Sequence, residues 1–408
     1  MDATNPRAVA ASWRTPGKFV PELDGVRGLA ILGVMALHFC GEITPTNLAE
    51  RALVKVAGYG LWGVDLFFVL SGFLITGILL EAKGRPHYFR NFYIRRTLRI
   101  FPLYYAVLTL LFVVLPIGVL ARYDASLLEM QATQGWVWPY LTNYYLGSQT
   151  SFSIPYLSHF WSLAVEEHFY FLWPMVILLL SRRGALWGCV LFSATALALR
   201  MTFESLAPDM LYAGVLTPCR LDGLCIGAWF AIAARGSVSL NPARLGAMTA
   251  AAFAGVIGVS LWHVFDPQLD AISLQLRTTF LAIMFGGCIY AAAYHPGLTR
   301  SRAMLRAPWL RMFGKYSYGL YVFHGLISYV LAAHPLIPVL QTVVHNHMVA
   351  AAIQVVIGVG LSLLISVVSY EYFERRFLEL KDRFGDSAKT AARVPSNAPI
   401  LTDSPAAL

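Results

Sequence analysis

The sequence predicts an all-α, polytopic membrane protein with about ten transmembrane helices and both termini in the cytoplasm. Three observations support this fold class. Of the 408 residues, 57% are hydrophobic and only 13% are charged, roughly half the charged fraction of a soluble protein. Apolar runs recur along the chain, each long enough to cross a hydrocarbon core of about 30 Å as a helix. The basic residues lie between these runs and are divided unequally between the two sides.

The apolar runs justify the predicted helices one by one. A run of about 18 to 24 apolar residues is typical of a transmembrane helix and is too long for a buried strand. The weakest candidate is the eighth run, because it begins beside Arg277. The ten predicted spans are 26–44, 58–80, 100–121, 159–180, 185–203, 215–234, 245–263, 275–294, 316–333 and 348–369.

The positions of the cations predict the orientation of these spans. Of the 31 Lys and Arg residues, 25 fall on the side of the N-terminus and only Arg51, Lys55 and Arg122 fall on the opposite side. The other three, Arg200, Arg220 and Arg277, lie within or at the ends of spans. Such a bias places the cation-rich side in the cytoplasm. The formal net charge of +9 is therefore attributed to membrane topology. Membrane lipid is the expected partner of these cations, and nucleic acid is not expected as a partner.

One membrane domain accounts for most of the predicted chain. Residues 1–20 form a cytoplasmic segment that lacks the early apolar region of a signal peptide. The transmembrane domain covers 21–384, and the polar, Pro-containing residues 385–408 predict a disordered cytoplasmic tail. The five cysteines lie in or beside apolar runs without a CxxC pair, so neither a metal site nor a disulfide framework is predicted.

The first span carries two unusual residues, Arg27 at its start and His38 deep inside it. At about 1.5 Å per residue they lie ~16 Å apart along a helix, about half of the ~30 Å hydrocarbon core. A cation at the membrane edge and a buried imidazole suggest a site that spans part of the membrane. The alternative is a helix with an anchoring arginine and a hydrogen-bonded histidine.

Acidic residues in three further spans fall at a depth similar to that of the His38 layer. They are Asp65, the neighbouring Glu166 and Glu167, and Asp222. Ionisable groups inside a membrane usually face the bundle interior or a water-filled cavity, so the shared layer predicts a functional site. The alternative is a set of ion pairs between helices, such as Asp222 with Arg220.

Two polar patterns on the cytoplasmic side extend this candidate site. The segment RRTLRIFPLYY places Arg95, Arg96 and Arg99 on one helical flank, where guanidinium groups suit phosphate oxygens or simply anchor the helix. In KYSYGLYVFH, a polar stripe contains Tyr321 and His324 at helical spacing. This stripe predicts the lining of a cavity, although a lone histidine there is more often a packing partner.

The order of these motifs resembles the membrane acyltransferase family 3 from about residue 20 to 380. PELDGVRGLAILGVMALHF contains the arginine and histidine of that family as Arg27 and His38. FFVLSGFLIT, RRTLRIFPLYY, FWSLAVEEHFYFLWP, RLDGLCIGAW and YSYGLYVFH follow in the family's order. The chain departs from the pattern at His168, where glutamine is more usual, and in YEYFERRF, which lacks a proline after its Glu-Arg.

The resemblance implies an O-acyltransferase of the bacterial inner membrane. Its donor would be acyl-coenzyme A, usually acetyl-coenzyme A, and its acceptor a hydroxyl of a surface polysaccharide, glycolipid or other lipid-linked molecule. An imidazole can accept the hydroxyl proton as the oxygen attacks a thioester. The implied roles are: catalytic, His38, Glu166 and Glu167; donor-binding, Arg27, Arg95, Arg96 and Arg99; substrate-binding, Asp65, Asp222, Tyr321 and His324.

Two other functions fit the same residues. A proton-coupled transporter would use His38 and the buried carboxylates as a relay, and it would require a sealed membrane to act. An acyltransferase acting on a small cytoplasmic molecule would share the donor site. The sequence is compatible with direct transfer to the acceptor and with transfer through His38, and with either glutamate facing the site. It specifies no acceptor, acyl chain length or oligomeric state.

Overall fold

A computed structural model of the protein describes residues 20–117, 125–236, 240–265, 270–295, 297–381 and 384. These residues form helices and connecting turns, with no strand among them. The predicted N-terminal segment, apart from Val20, and the predicted C-terminal tail lie outside the described residues.

The described residues contain nineteen α-helices of four residues or more. They are α1 Pro21–Gly41, α2 Leu48–Gly58, α3 Trp62–Ala82, α4 Tyr88–Thr109, α5 Ala125–Gln131, α6 Gln134–Val137, α7 Thr142–Gly147, α8 Phe160–Leu179, α9 Arg182–Leu206, α10 Tyr212–Val215, α11 Thr217–Ala234, α12 Pro242–Phe265, α13 Asp270–Tyr294, α14 Thr299–Leu305, α15 Pro308–Lys315, α16 Ser317–Ala333, α17 Ile337–Val344, α18 His347–Ser369 and α19 Arg375–Lys381.

The predicted number of spans is confirmed. Within the described ranges, nine helical segments are long and apolar enough to cross a membrane, and α16 with α17 forms a tenth candidate that is bent by 69°. The nine segments contain α1, α3, α4, α8, α9, α11, α12, α13 and α18. The cytoplasmic position of both termini stays a prediction.

The observed helices are longer than several predicted spans. The first begins at Pro21 rather than at residue 26, because buried Glu22 is neutralised there by arginines. The second belongs to a continuous segment, Leu48–Ala82, in which a 3₁₀ turn at Tyr59–Leu61 joins α2 to α3. The predicted ninth span ends at the bend between α16 and α17.

Glycines bring α3 and α11 into backbone contact at the centre of the bundle. A Cβ atom on Gly72 would overlap the carbonyl oxygen of Leu224, and one on Gly227 would overlap that of Val69. Small residues allow this close approach between membrane helices, where van der Waals packing carries much of the association. The contact fixes the neighbouring Ser71 relative to α11.

The first helix is tied to α14 and α15, which come from the C-terminal third of the chain. Glu22 is fully buried and accepts hydrogen bonds from Arg302 at 2.7 Å and from Arg306 at 2.8 Å. Gly314 on α15 lies against the main chain of Asp24. These contacts fix the start of α1 and therefore the position of Arg27.

Candidate active site

A cavity of about 330 Å³ lies among α1, α3, α4, α8 and α16. Its lining is strongly basic, since among the described residues that line it Glu166 is the only carboxylate. Five arginines line the same cavity: Arg27, Arg85, Arg95, Arg96 and Arg99. The structure therefore brings all four predicted donor-binding residues together in one place.

The arginines of α4 that line the cavity carry positive charge without a directly bonded carboxylate among the described residues. Arg95, Arg96 and Arg99 form no ion pair with any residue in the described ranges, whereas Arg27 is paired with Asp24 at 2.9 Å. The Arg96 guanidinium lies 5.6 Å from the centre of the Tyr170 ring, a cation–π contact that orients it. Guanidinium groups that are not engaged by a carboxylate are suited to bind phosphate oxygens, with which they form charge-assisted hydrogen bonds.

Glu166 is the glutamate that faces the cavity. Its carboxylate accepts a 2.7 Å hydrogen bond from the Ser71 hydroxyl and a 2.8 Å bond from the Tyr170 hydroxyl. Neither hydroxyl was predicted from sequence, although Tyr170 lies one helical turn after Glu166 and Ser71 belongs to FFVLSGFLIT. Glu167 does not line the cavity, and its Oε1 is buried without a hydrogen-bond partner in the described chain.

Two hydroxyl groups stand at one end of the cavity. The Ser162 Oγ and the Tyr321 hydroxyl lie 2.7 Å apart, and the Tyr321 hydroxyl also donates to the main-chain carbonyl of His159. Both residues line the cavity and both are buried. Beyond them the ring of Tyr321 lies 5.7 Å from that of His324, between ring centres. Tyr321 thus connects the cavity to a group of histidines.

Three imidazoles pack together behind Tyr321. The ring centre of His324 lies 4.8 Å from that of His38 and 5.2 Å from that of His159. None of the three lines the cavity. His159 was missed in the sequence, although it opens the motif HFWSLAVEEH that drew attention to the glutamates. Within the described residues, no group of three or more His, Cys, Asp or Glu side chains could hold a metal ion.

Main-chain carbonyls fix the tautomers of two of these histidines. His38 Nδ1 lies 2.9 Å from the Val34 carbonyl and His324 Nδ1 lies 2.9 Å from the Leu320 carbonyl. A carbonyl oxygen only accepts, so each Nδ1 carries the proton and each Nε2 has a free lone pair. The Val34 carbonyl therefore orients the His38 ring.

The predicted layer of ionisable groups is divided by ion pairs. Asp65 pairs with Arg220, while Asp222 pairs at 2.7 Å with Arg200, which is fully buried. The pairing of Asp222 with Arg220 that the sequence suggested is thus wrong, because Arg220 reaches across to α3 and Arg200 on α9 takes its place. Neither aspartate lines the cavity, and their predicted role in substrate binding stays a prediction.

A second, larger cavity of about 1200 Å³ adjoins the first near the start of α1, and Arg27 lines both. Its cations are engaged with groups of the protein. Arg302 donates to Glu22, Lys83 donates to two main-chain carbonyls, and Arg182 donates to a third. We therefore place the candidate site in the first cavity, where the arginines of α4 remain available.

Aromatic residues between α4 and α8 pack mainly on the bundle. Tyr140 stacks on Tyr104 with ring centres 4.0 Å apart, and Trp138 stacks on Tyr105 at 5.8 Å. Each of these two rings therefore has one face covered by a tyrosine of α4. Trp136 remains 43% exposed and is available to contact lipid or a ligand.

Comparison with known proteins tests the family that the sequence motifs resemble. A family model described as "Acyltransferase domain" matches residues 20–371. This match confirms the expected family and the expected class of enzyme, an acyltransferase, over the transporter alternative.

Three curated relatives share the greater part of the chain. "Putative peptidoglycan O-acetyltransferase YrhL" of Bacillus subtilis is 29% identical over 377 residues, covering 88% of this chain and 55% of the relative. "O-acetyltransferase OatA" of Staphylococcus aureus is 28% identical over 381 residues, covering 88% and 57%. "Peptidoglycan O-acetyltransferase OatA" of Listeria monocytogenes is 29% identical over 329 residues, covering 75% and 49%. The chain thus spans about half the length of these relatives. No solved structure matches it.

Proposed function

We propose, because this chain belongs to the acyltransferase family, that it is an O-acetyltransferase of the bacterial inner membrane. Its donor is acetyl-coenzyme A, which enters the basic cavity. Its acceptor is a hydroxyl of a cell-surface glycan or of a lipid-linked glycan precursor. The names of the relatives support O-acetylation of peptidoglycan-type glycans, and the helical spans support action within a membrane.

The observation that supports this proposal is the group of three α4 arginines in the first cavity that form no ion pair with the described residues. Coenzyme A bears a pyrophosphate and a further phosphate, and charge-assisted hydrogen bonds from arginine are among the stronger contacts available to such groups. Arg95, Arg96 and Arg99 line the cavity and lie between the first two turns and the middle of α4. The pantetheine arm then extends past Glu166 to Ser162 and the histidines beyond it.

In the proposed transfer step, His38 accepts the proton of the acceptor hydroxyl. The acceptor oxygen attacks the thioester carbonyl carbon, forming the new C–O ester bond, while its proton passes to His38 Nε2. The C–S bond breaks and the thiolate leaves, taking up a proton to give the coenzyme A thiol. Nε2 suits this role because the single N–H proton of the neutral ring is held on Nδ1 by the Val34 carbonyl. For this step, the thioester passes Tyr321, which separates the cavity from His38.

The partial exposure of His38 supports an acceptor site that is separate from the donor cavity. The donor cavity lies near the start of α1, whereas His38 lies in its last turn and is only half-buried. An acceptor approaching from the far side of the bundle therefore meets His38 without crossing the donor cavity. This arrangement favours an acceptor on the outer face over a small cytoplasmic molecule.

Incubating purified protein in detergent with radiolabelled acetyl-coenzyme A and fractionated envelope glycans tests the proposal. We expect label to appear in the glycan fraction as a base-labile ester. The acyltransferase with a cytoplasmic acceptor would instead label only small molecules from a cytosolic extract. A protein that leaves acetyl-coenzyme A intact with every fraction, yet moves protons in sealed vesicles, would overturn the assignment.

A further inference from the structure

The hydroxyl pair at the end of the cavity has a fixed hydrogen-bond direction. A phenol has one proton, and Tyr321 uses it to donate to the His159 carbonyl, which can only accept. The 2.7 Å contact between Tyr321 and Ser162 is therefore donated by Ser162. The chain runs from the Ser162 hydroxyl to the Tyr321 oxygen and then, through the Tyr321 proton, to the carbonyl.

This direction determines what the cavity offers a ligand at this point. Because the Ser162 proton is already given to Tyr321, Ser162 Oγ faces the cavity with lone pairs only. It can accept a hydrogen bond but cannot donate one to a thioester carbonyl without breaking the chain. Ser162 is only 6% exposed. A ligand N–H or O–H group that reaches it therefore replaces its hydrogen bond to water with one to a buried oxygen.

We infer that Ser162 binds an amide N–H of the donor's pantetheine arm. The inference rests on the proposed function, since it takes a pantetheine thioester as the donor. In such a thioester the last amide nitrogen is three bonds from the sulfur. An amide held at Ser162 therefore places the thioester beside Tyr321, whose ring contacts those of His159 and His324. The predicted ligand class is an N-acylcysteamine thioester. Ser162 should bind its amide whether or not the ligand carries the phosphates of coenzyme A.

A purely structural role for Ser162 makes a different prediction. If Ser162 only holds Tyr321 in place, then its replacement alters turnover of every thioester by the same factor. If it binds the amide, its replacement removes the preference for donors that carry an N–H. Two small thioesters separate these roles, because S-acetyl-N-acetylcysteamine and 2-(acetylthio)ethyl acetate differ mainly in an N–H replaced by oxygen.

The experiment measures kcat/KM for both compounds as donors and their inhibition constants against acetyl-coenzyme A. We expect the parent protein to prefer the amide compound by about 2- to 10-fold, the range of a single net hydrogen bond. Ser162→Ala should lose that preference and Ser162→Thr, which keeps a hydroxyl, should retain it. Ser317→Ala is the matched control, because Ser317 is a buried hydroxyl residue lining the same cavity, and it should keep the preference.

Each outcome decides the inference. A preference that survives in Ser162→Ala, that disappears equally in Ser317→Ala, or that is absent in a parent active with acetyl-coenzyme A overturns the role of Ser162 and leaves the proposed function standing. Failure of the amide compound to act either as donor or as inhibitor also counts against it. A parent that takes no acetyl group from acetyl-coenzyme A overturns the proposed function itself.

Discussion

The imidazoles of His38 and His324 lie edge to face, with ring centres 4.8 Å apart and planes at 83°. One lies in the last turn of α1 and the other in the middle of α16. Each is held through Nδ1 by a carbonyl of its own helix, so Nε2 of each neutral ring carries no proton. Since His38 is half-buried and His324 fully buried, only His38 is accessible to an acceptor.

His38→Gln should abolish transfer while leaving donor binding intact. Glutamine keeps a donor and an acceptor but does not take up a proton at neutral pH. Loss of a general base costs about 10²–10⁴-fold in rate, to be measured as kcat for transfer from acetyl-coenzyme A. His334→Gln, at an exposed position after α16, is the control and should behave like the parent. Turnover within a few-fold of the parent in His38→Gln would remove His38 from the catalytic role.

Arg96→Gln and Arg99→Gln should each raise the KM for acetyl-coenzyme A about tenfold or more, because each removes a charged hydrogen-bond donor to phosphate. The KM for S-acetyl-N-acetylcysteamine, which lacks phosphates, should change little. Arg183→Gln removes an exposed cation from the start of α9 and controls for general effects of charge. If both variants insert poorly but bind the donor normally once purified, these arginines serve only as anchors.

Glu166→Gln should impair the enzyme more than Glu167→Gln. The Glu166 carboxylate accepts two hydroxyl hydrogen bonds in the cavity, and an amide would place an N–H₂ group against one of those donors. Loss of hydrogen bonds to a charged group predicts a fall of about 10- to 100-fold in kcat/KM. Glu167→Gln should change kcat/KM only a few-fold. A larger loss of kcat/KM in Glu167→Gln than in Glu166→Gln would show that the face of α8 that lines the cavity is not the one that takes part in the reaction.

Asp222→Asn should destabilise the protein without changing the KM for the donor. Arg200 is fully buried and pairs with Asp222 at 2.7 Å, so removal of the carboxylate leaves a buried cation that costs about 3–5 kcal/mol. The measurement is the midpoint of thermal unfolding in detergent. Glu379→Gln, which breaks an exposed pair with Arg375, should shift the midpoint little. Unchanged unfolding together with a raised acceptor KM would support the predicted substrate-binding role of Asp222.

Gly72→Ala should loosen the contact between α3 and α11. The added Cβ would overlap the Leu224 carbonyl, and overpacking of this kind typically costs about 1–3 kcal/mol. Gly258→Ala on α12 is the control, since nothing lies within 4 Å of its added Cβ, and the higher helix propensity of alanine should be neutral or stabilising. Equal unfolding midpoints for the two variants would contradict the close packing of α3 and α11.

The helical fold and the arginine-bearing flank of α4 were predictable because they depend on local patterns. Apolar runs predicted every span, and the spacing of Arg95, Arg96 and Arg99 predicted one flank of α4, now seen to line a cavity. The pairing of Asp222 with Arg200 was not predictable in this way. It depends on which faces of α9 and α11 meet, and the nearer arginine in sequence, Arg220, points to α3 instead. His159 was missed because its partners lie on other helices.

The hydrogen bonds that Glu22 accepts from Arg302 and Arg306 also constrain when the start of α1 can reach its final position. Glu22 and Arg302 are separated by 280 residues, which take roughly 15–60 s to synthesise at about 5–20 residues per second. During that time the buried carboxylate of α1 has neither Arg302 nor Arg306 as a partner. The contacts that fix the start of α1, and with it the position of Arg27, can therefore form only when synthesis of the chain is well advanced.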